Sequence, residues 1–287
     1  MALETAADSA PRQVVEPTFY AFALNRTSTA LDKFSERFQE AKRHPEDAAT
    51  VHDLRVAIRR FVQALGSFEQ LFDPTHIERT EQQFKKLMKA CGDKRNTDVA
   101  PEVLRDSGVP PDDPTHAHLK KQRKRAEKEL IRRLSKKSWL KLAKRAAAPQ
   151  HKPRGSISAY ARTLLPEMWS EFLTAGEAAL AVPDDYKMLH HFRILGKKLR
   201  YTLELFEGLK AADVTARLAA LRKLQDHLGK INDRQTTLKL IAKYPRAQAS
   251  VRKSLDQCNR NFSAYWQRAF AKQTRTIRQN SRRKKTA

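Results

Sequence analysis

Val51-His52-Asp53-Leu54-Arg55-Val56-Ala57-Ile58-Arg59-Arg60 returns 138 residues later as Leu189-His190-His191-Phe192-Arg193-Ile194-Leu195-Gly196-Lys197-Lys198. Under that offset the histidine, the arginine and the closing pair of cations coincide. Leu65, Phe68, Glu69 and Leu71 then fall on identical residues. Leu87 and Gly92 find their counterparts, Leu224 and Gly229, one residue closer. In the first copy Leu54, Ile58, Phe61 and Leu65 recur at spacings of three and four, and in the second Phe192, Gly196, Leu199 and Leu203 do the same. That period is the stripe of an amphipathic helix, and a long-range repeat of this kind implies two similar helical halves. The expected fold is all-α: two similar halves produced by internal duplication, each a bundle of about four main helices. The boundaries expected are 16–148 for the first bundle, 149–155 for a linker, 156–280 for the second bundle and 281–287 for a basic tail.

The repeated polar face matters more than the apolar one. His52, Arg55 and Arg59 stand at i, i+3 and i+7, so they line up beside the stripe. His190, Arg193, Lys197 and Arg200 form the matching row, with Arg60 and Lys198 next to them. Val62 holds the first-half place of Arg200, so that row is shorter. Like charges at helical spacing cost roughly 0.2–0.5 kcal/mol per pair. Either water screens them as a solvated face, or an anion stabilises them. The same row on both copies favours the anion.

Composition agrees with helices. The chain has 287 residues, only 8 glycines and 13 prolines, too few turn formers for a sandwich, barrel or doubly wound sheet. Lys and Arg number 57 against 32 acids, and a net charge of +25 draws polyanions: nucleic acid, an anionic membrane surface or another polyphosphate. Cys91 and Cys258 each sit on an apolar helical face, as packing thiols do. No apolar run reaches the roughly 18 residues of a membrane span, and Met1–Asp8 lacks the basic start and apolar core of a secretory signal. The expected location is cytoplasmic.

Along the chain, a first helix carries Tyr20, Leu24, Leu31, Phe34 and Phe38 and breaks at His44-Pro45. A second opens at Thr50, with Thr50 and Asp53 in capping-box spacing. Asp73-Pro74 starts a third, expected to end at Gly92 before a short helix over 96–106. Residues 115–148 read as helical and carry 13 cations against two acids between Lys120 and Arg145, a solvated face or an auxiliary anion surface. In the second half Ser156 caps a helix to about Ala181 with a kink expected at Pro166. Pro183-Asp184-Asp185 begins another ending near Gly208, and the next is expected to close at Gly229.

His-x-x-Arg-x-x-x-Arg-Arg from His52 and His-x-x-Arg-x-x-x-Lys-Lys-x-Arg-Tyr from His190 resemble the CHAD family, the conserved histidine α-helical domain. Gly92-x-x-Arg95-x-x-Asp98-Val99 is similar to the family's Gly-x-x-Arg-Asp-x-Asp-Val segment, with Asn96 in place of the first Asp. Leu224 through Asp233 is similar to a second-half signature. The resemblance spans about residues 16–280. It implies an all-α fold of two four-helix bundles about a pseudo-twofold axis, binding of inorganic polyphosphate along basic rows between them, and association with polyphosphate granules. By position, His52, Arg55, Arg59, Arg60, Arg95, His190, Arg193, Lys197, Lys198 and Arg200 would contact phosphate.

Other readings stand beside this one. His52 and His190 can instead pack or cap near a helix start, and Arg95 can bond the carbonyls of a preceding helix end. Paired histidines can hold metal, but no HExxH, CxxC or acidic triad accompanies them, so neither metal nor cofactor is expected. No phosphate-cradling glycine loop, nucleophile–base set or Glu-x-Glu-x-Lys signature occurs, so a binding protein rather than an enzyme is expected. The alternative function is nonspecific nucleic-acid binding by the basic helix and tail, although aromatics interleaved with cations, which single-strand binders stack on bases, are missing. A scaffold for other granule proteins is a third reading.

Overall fold

Short polar side chains set where six of the helices of this chain begin. In the computed structural model, which describes residues 17–274 except 137, 183–184 and 210–213, Thr18, Asp47, Asp73, Asp113, Ser156 and Asp185 each accept backbone N–H groups of the turn that follows. These are the donors a helix start leaves without carbonyl partners. The helices are α1 (Phe19–Arg43), α2 (Ala48–Ser67), α3 (Pro74–Asp106), α4 (Pro114–Leu134), α5 (Ser138–Ala146), α6 (Ile157–Ala181), α7 (Tyr186–Leu205), α8 (Thr215–Leu240) and α9 (Pro245–Ala269), with a 3-10 turn at Glu69–Leu71. Among the described residues there is no β-strand, only a single antiparallel bridge between Thr18 and Ser156. The basic tail 281–287 and the residues before 17 lie outside the described residues.

Three expectations need correction. The second helix starts under Asp47, whose carboxylate accepts from the Thr50 N–H at 2.8 Å, and not as a Thr50–Asp53 box. Gly92 does not end a helix: α3 runs on through it, and through Pro101, to Asp106. Gly229 likewise lies inside α8. A glycine that ends a helix adopts positive φ. Among the described residues only Gly108, Gly155 and Gly208 do so, the first just after α3 and the last just after α7. Pro166 lies inside α6, which is one helix from Ile157 to Ala181.

The helices of the two halves correspond in order, α1 to α4 and α6 to α9. α2 and α7 are both 20 residues long, and α1 and α6 both 25. Phe34, Phe61, Phe84 and Trp139 pack together in the first half. Phe172, Phe192, Trp266 and Phe270 do so in the second. One apolar core runs through both halves. Phe22, Phe68, Tyr160 and Phe206 fill the junction, where Phe68 and its repeat counterpart Phe206 meet at 6.0 Å. The halves are also joined by α2 packing on α7 and α3 on α8. The basic rows therefore lie on the helices that form the seam.

Candidate functional site

The histidine is the fifth residue of its helix in both α2 and α7. Capping is not the role of either ring, since Asp47 and Asp185 already hold the first-turn N–H groups. His52 is exposed and makes no hydrogen bond among the described residues. Burial and then the charge of Arg95 hold its pKa below the usual imidazole value. His190 Nδ1 lies 3.3 Å from Arg193 Nη2. A guanidinium only donates, so Nδ1 accepts and the proton of the neutral ring sits on Nε2. Burial followed by Arg193 lowers this histidine too.

One turn further on, Arg55 folds against α3. Its Nη1 donates to the Met88 carbonyl at 3.2 Å and occupies space that a side chain at position 92 would need, with a Cβ there only 2.9 Å from Nη1. That close approach is the physical reason for a glycine in mid-helix. Burial, then Arg59, pulls the Arg55 pKa down, and burial, then Arg59, does the same to Arg193. The Arg193 Nε is buried without a hydrogen-bond partner. Lys197 is affected most: burial first, then Arg59, Arg193, Arg55 and Arg95, brings its amine from 10.5 to about 5. Arg59 of α2 acts on both Arg193 and Lys197 of α7, so the two helices bring their cations to one place across the seam. Neither Arg59 nor Lys197 has an ion pair or hydrogen bond among the described residues.

These cations border a cleft of ≈ 340 Å³ between α2, α3 and α7. Arg59, Arg193, Lys197 and Lys198 line it together with Lys85 from α3, against a single acid, Glu81. The remaining lining is mostly apolar, with Gln63 and Tyr201 as further polar groups. Desolvated cations without counter-charges are unfavourable unless an anion arrives, and guanidinium forks match phosphate oxygens well.

The other three candidates are placed differently. Arg95 forms a two-pronged pair with Asp233 across α3 and α8, at 2.7 and 3.0 Å, and this hydrogen bonding raises its pKa. It does not bond a helix end, because α3 does not end there. Asp233 itself lies inside α8 and is not a cap. Arg60 turns to the opposite side of α2 and pairs with Glu204 of α7 at 3.0 Å, and Arg200 reaches the same carboxylate at 3.5 Å. That side opens on a separate cleft of ≈ 440 Å³, where Asp53, Glu204 and Glu207 stand among Arg26, Lys33, Arg37, Arg60 and Arg222. Charge is largely compensated there.

The sequence reading missed Lys85 and Met88 of α3 and the two carboxylates that engage Arg95, Arg60 and Arg200. With α3 continuous, positions 81, 85, 88, 92 and 95 fall on one face at alternating spacings of four and three. Breaking the helix at Gly92 hid that face.

A family model described as CHAD domain matches residues 26–242, three quarters of the chain. The chain belongs to the CHAD family. The fold of this CHAD protein is similar to the crystal structure of the CHAD domain from the plant Ricinus communis, with a TM-score of 0.65 and 22% identity over 92% of this chain and 91% of that one. It is also similar to PptA from Streptomyces chartreusis, with a TM-score of 0.67 and 18% identity over 88% of this chain and 100% of that one. No relative among curated proteins matches. Among the described residues of this CHAD chain no helix is long and apolar enough to cross a membrane, and no group of three or more His, Cys, Asp or Glu side chains is placed to hold a metal ion.

Proposed function

We propose that this CHAD protein binds inorganic polyphosphate, with the chain of phosphates lying on Arg59, Arg193, Lys197 and Lys198 at the α2–α7 seam, and that it does so as a binding module and not as an enzyme. The observation that carries the reading is the convergence of two repeated basic rows into a desolvated cluster. In that cluster Arg59 and Lys197 have no counter-charge among the described residues. A flexible polyanion presents no bases to read, so closely set cations suffice to hold it. His52 and Arg55 extend the track on α2 and His190 extends it on α7. Arg95 contributes indirectly, adding positive potential while held by Asp233. Arg60 and Arg200 are proposed as outer contacts that would have to leave Glu204. Association with polyphosphate granules and their proteins, and a cytoplasmic location, follow as part of the same proposal.

Replacing Arg59 with Gln and Lys197 with Met together removes one cation and one amine that binding would protonate, while keeping bulk. The double variant is expected to weaken binding of labelled long-chain polyphosphate at least about tenfold at about 0.15 M salt, the scale of one charged hydrogen bond lost. Lys121→Gln with Lys124→Gln, on the exposed face of α4, is expected to change it about twofold or less. Equal losses from both pairs, or displacement of polyphosphate by duplex DNA at equal phosphate concentration, would replace a dedicated track with nonspecific attraction to the +25 charge.

A further inference from the structure

The cleft at the seam holds more than a polyphosphate chain can use. Beside Arg59, Arg193 and Lys197 it has an apolar wall that includes Val62, Met88 and Ile194, with the polar Gln63 and Tyr201 alongside. Inorganic polyphosphate is hydrated oxygen along its whole length, and setting it against such a wall costs solvation without return. Ile194 is 49% exposed, one of three large apolar side chains standing open among the described residues, and the others, Ile131 and Val182, do not line this cleft. A half-apolar cleft with a few convergent polar groups is the usual form of a small-molecule site, and ≈ 340 Å³ falls in the range such sites occupy.

We infer that the α2–α3–α7 cleft binds a nucleoside polyphosphate, its phosphates on Arg59, Arg193 and Lys197 and its base against Met88, Val62 and Ile194. This rests on the phosphate-binding reading above and adds to it a ligand class with an apolar end. Two arginines, one unpaired and the other with a buried Nε lacking a partner, and an unpaired lysine that bound phosphate would protonate ask for several phosphate charges and not one. The apolar wall asks for a flat, poorly hydrated group attached to them. Lys85 and Lys198 at the rim add charge for the outermost phosphate, and Glu81, the only acid on the cleft, can accept from a base amine or ribose hydroxyl. Bound there, a nucleotide would occupy the middle of the polyphosphate track and compete with the polymer.

Calorimetry of the full chain with ATP and with methyl triphosphate, which carries the same charge without the nucleoside, isolates the contribution of the apolar wall. ATP is expected to bind at least tenfold more tightly, and Ile194→Ser is expected to bring the ratio of the two affinities close to one. ATP should also displace labelled polyphosphate. Equal affinities for ATP and methyl triphosphate overturn the inference. An ATP advantage that survives Ile194→Ser overturns the placement of the base. Long-chain polyphosphate titrated in parallel separates the two readings: its failure to bind removes the function proposed above, while the affinity ratio still decides this one.

Discussion

Lys197 sits at the seam with Arg59, Arg193, Arg55 and Arg95 around it, and burial together with these charges leaves its amine near pH 5 in the free protein. The unfolded chain would hold that proton up to about 10.5, so the unfolded state binds more protons across this window. Raising pH from about 5 therefore stabilises the fold, and the gain is complete only near 10.5. A bound polyanion acts in the opposite sense, favouring the ammonium, so binding takes up a proton. Affinity for long-chain polyphosphate is expected to fall as pH rises above 5, by up to about tenfold per unit for one proton. His52 and His190, both held below 6.5, add proton uptake near their own lowered values. Calorimetry in buffers of different ionisation enthalpy measures the protons directly, and Lys197→Met should remove the part above pH 6.5. A pH-independent affinity with no proton uptake would mean that the lysine does not meet the ligand.

At the scale of single helices, glycine was the residue hardest to read. Gly92 and Gly176 are both inside helices, where glycine costs about 1 kcal/mol relative to alanine. In each case the place a Cβ would take is occupied by another side chain. At Gly92 it is the flexible end of Arg55, and at Gly176 of α6 it is the indole of Trp266 on α9. The consequences of substitution should differ. Gly176→Ala drives a methyl into a rigid ring with no exposed surface and is expected to destabilise by about 1–3 kcal/mol, a loss of several degrees in Tm. Gly92→Ala asks only that a guanidinium swing aside, so Tm should hold or rise while phosphate binding weakens. Thermal unfolding of both variants tests this, and an unchanged Tm for Gly176→Ala would show that α6 and α9 can separate freely. The helix starts were legible because Asp and Ser caps act through the next two or three residues. What a glycine faces across the bundle is not written in its neighbours in sequence.

The whole molecule carries +25 charges around a large core shared by both halves and a smaller apolar cluster beside it. Self-repulsion on that scale is screened as the Debye length falls from about 30 Å at 0.01 M salt to about 10 Å at 0.1 M. Tm is expected to rise by a few degrees over that interval in sodium chloride, while affinity for polyphosphate falls because counterion release drives binding. A Tm that drops with salt would mean that the surface ion pairs outweigh the repulsion.

From the sequence alone came the helical class, the two similar halves and the identity of the two basic rows, because periodicity and a repeat are properties of order along the chain. The starts at Asp73 and Ser156 came with them for the same reason, while the cap of α2 and the ends of α3 and α8 did not. Only the tertiary structure decided which cations meet. Arg59 of α2 and Arg193 and Lys197 of α7 converge on one cleft. Arg60 and Arg200 are drawn by Glu204 to the other side, and Arg95 is engaged by Asp233. Charge pairing depends on distances of a few ångströms between residues more than a hundred positions apart, and those distances exist only once α2 lies on α7 and α3 on α8.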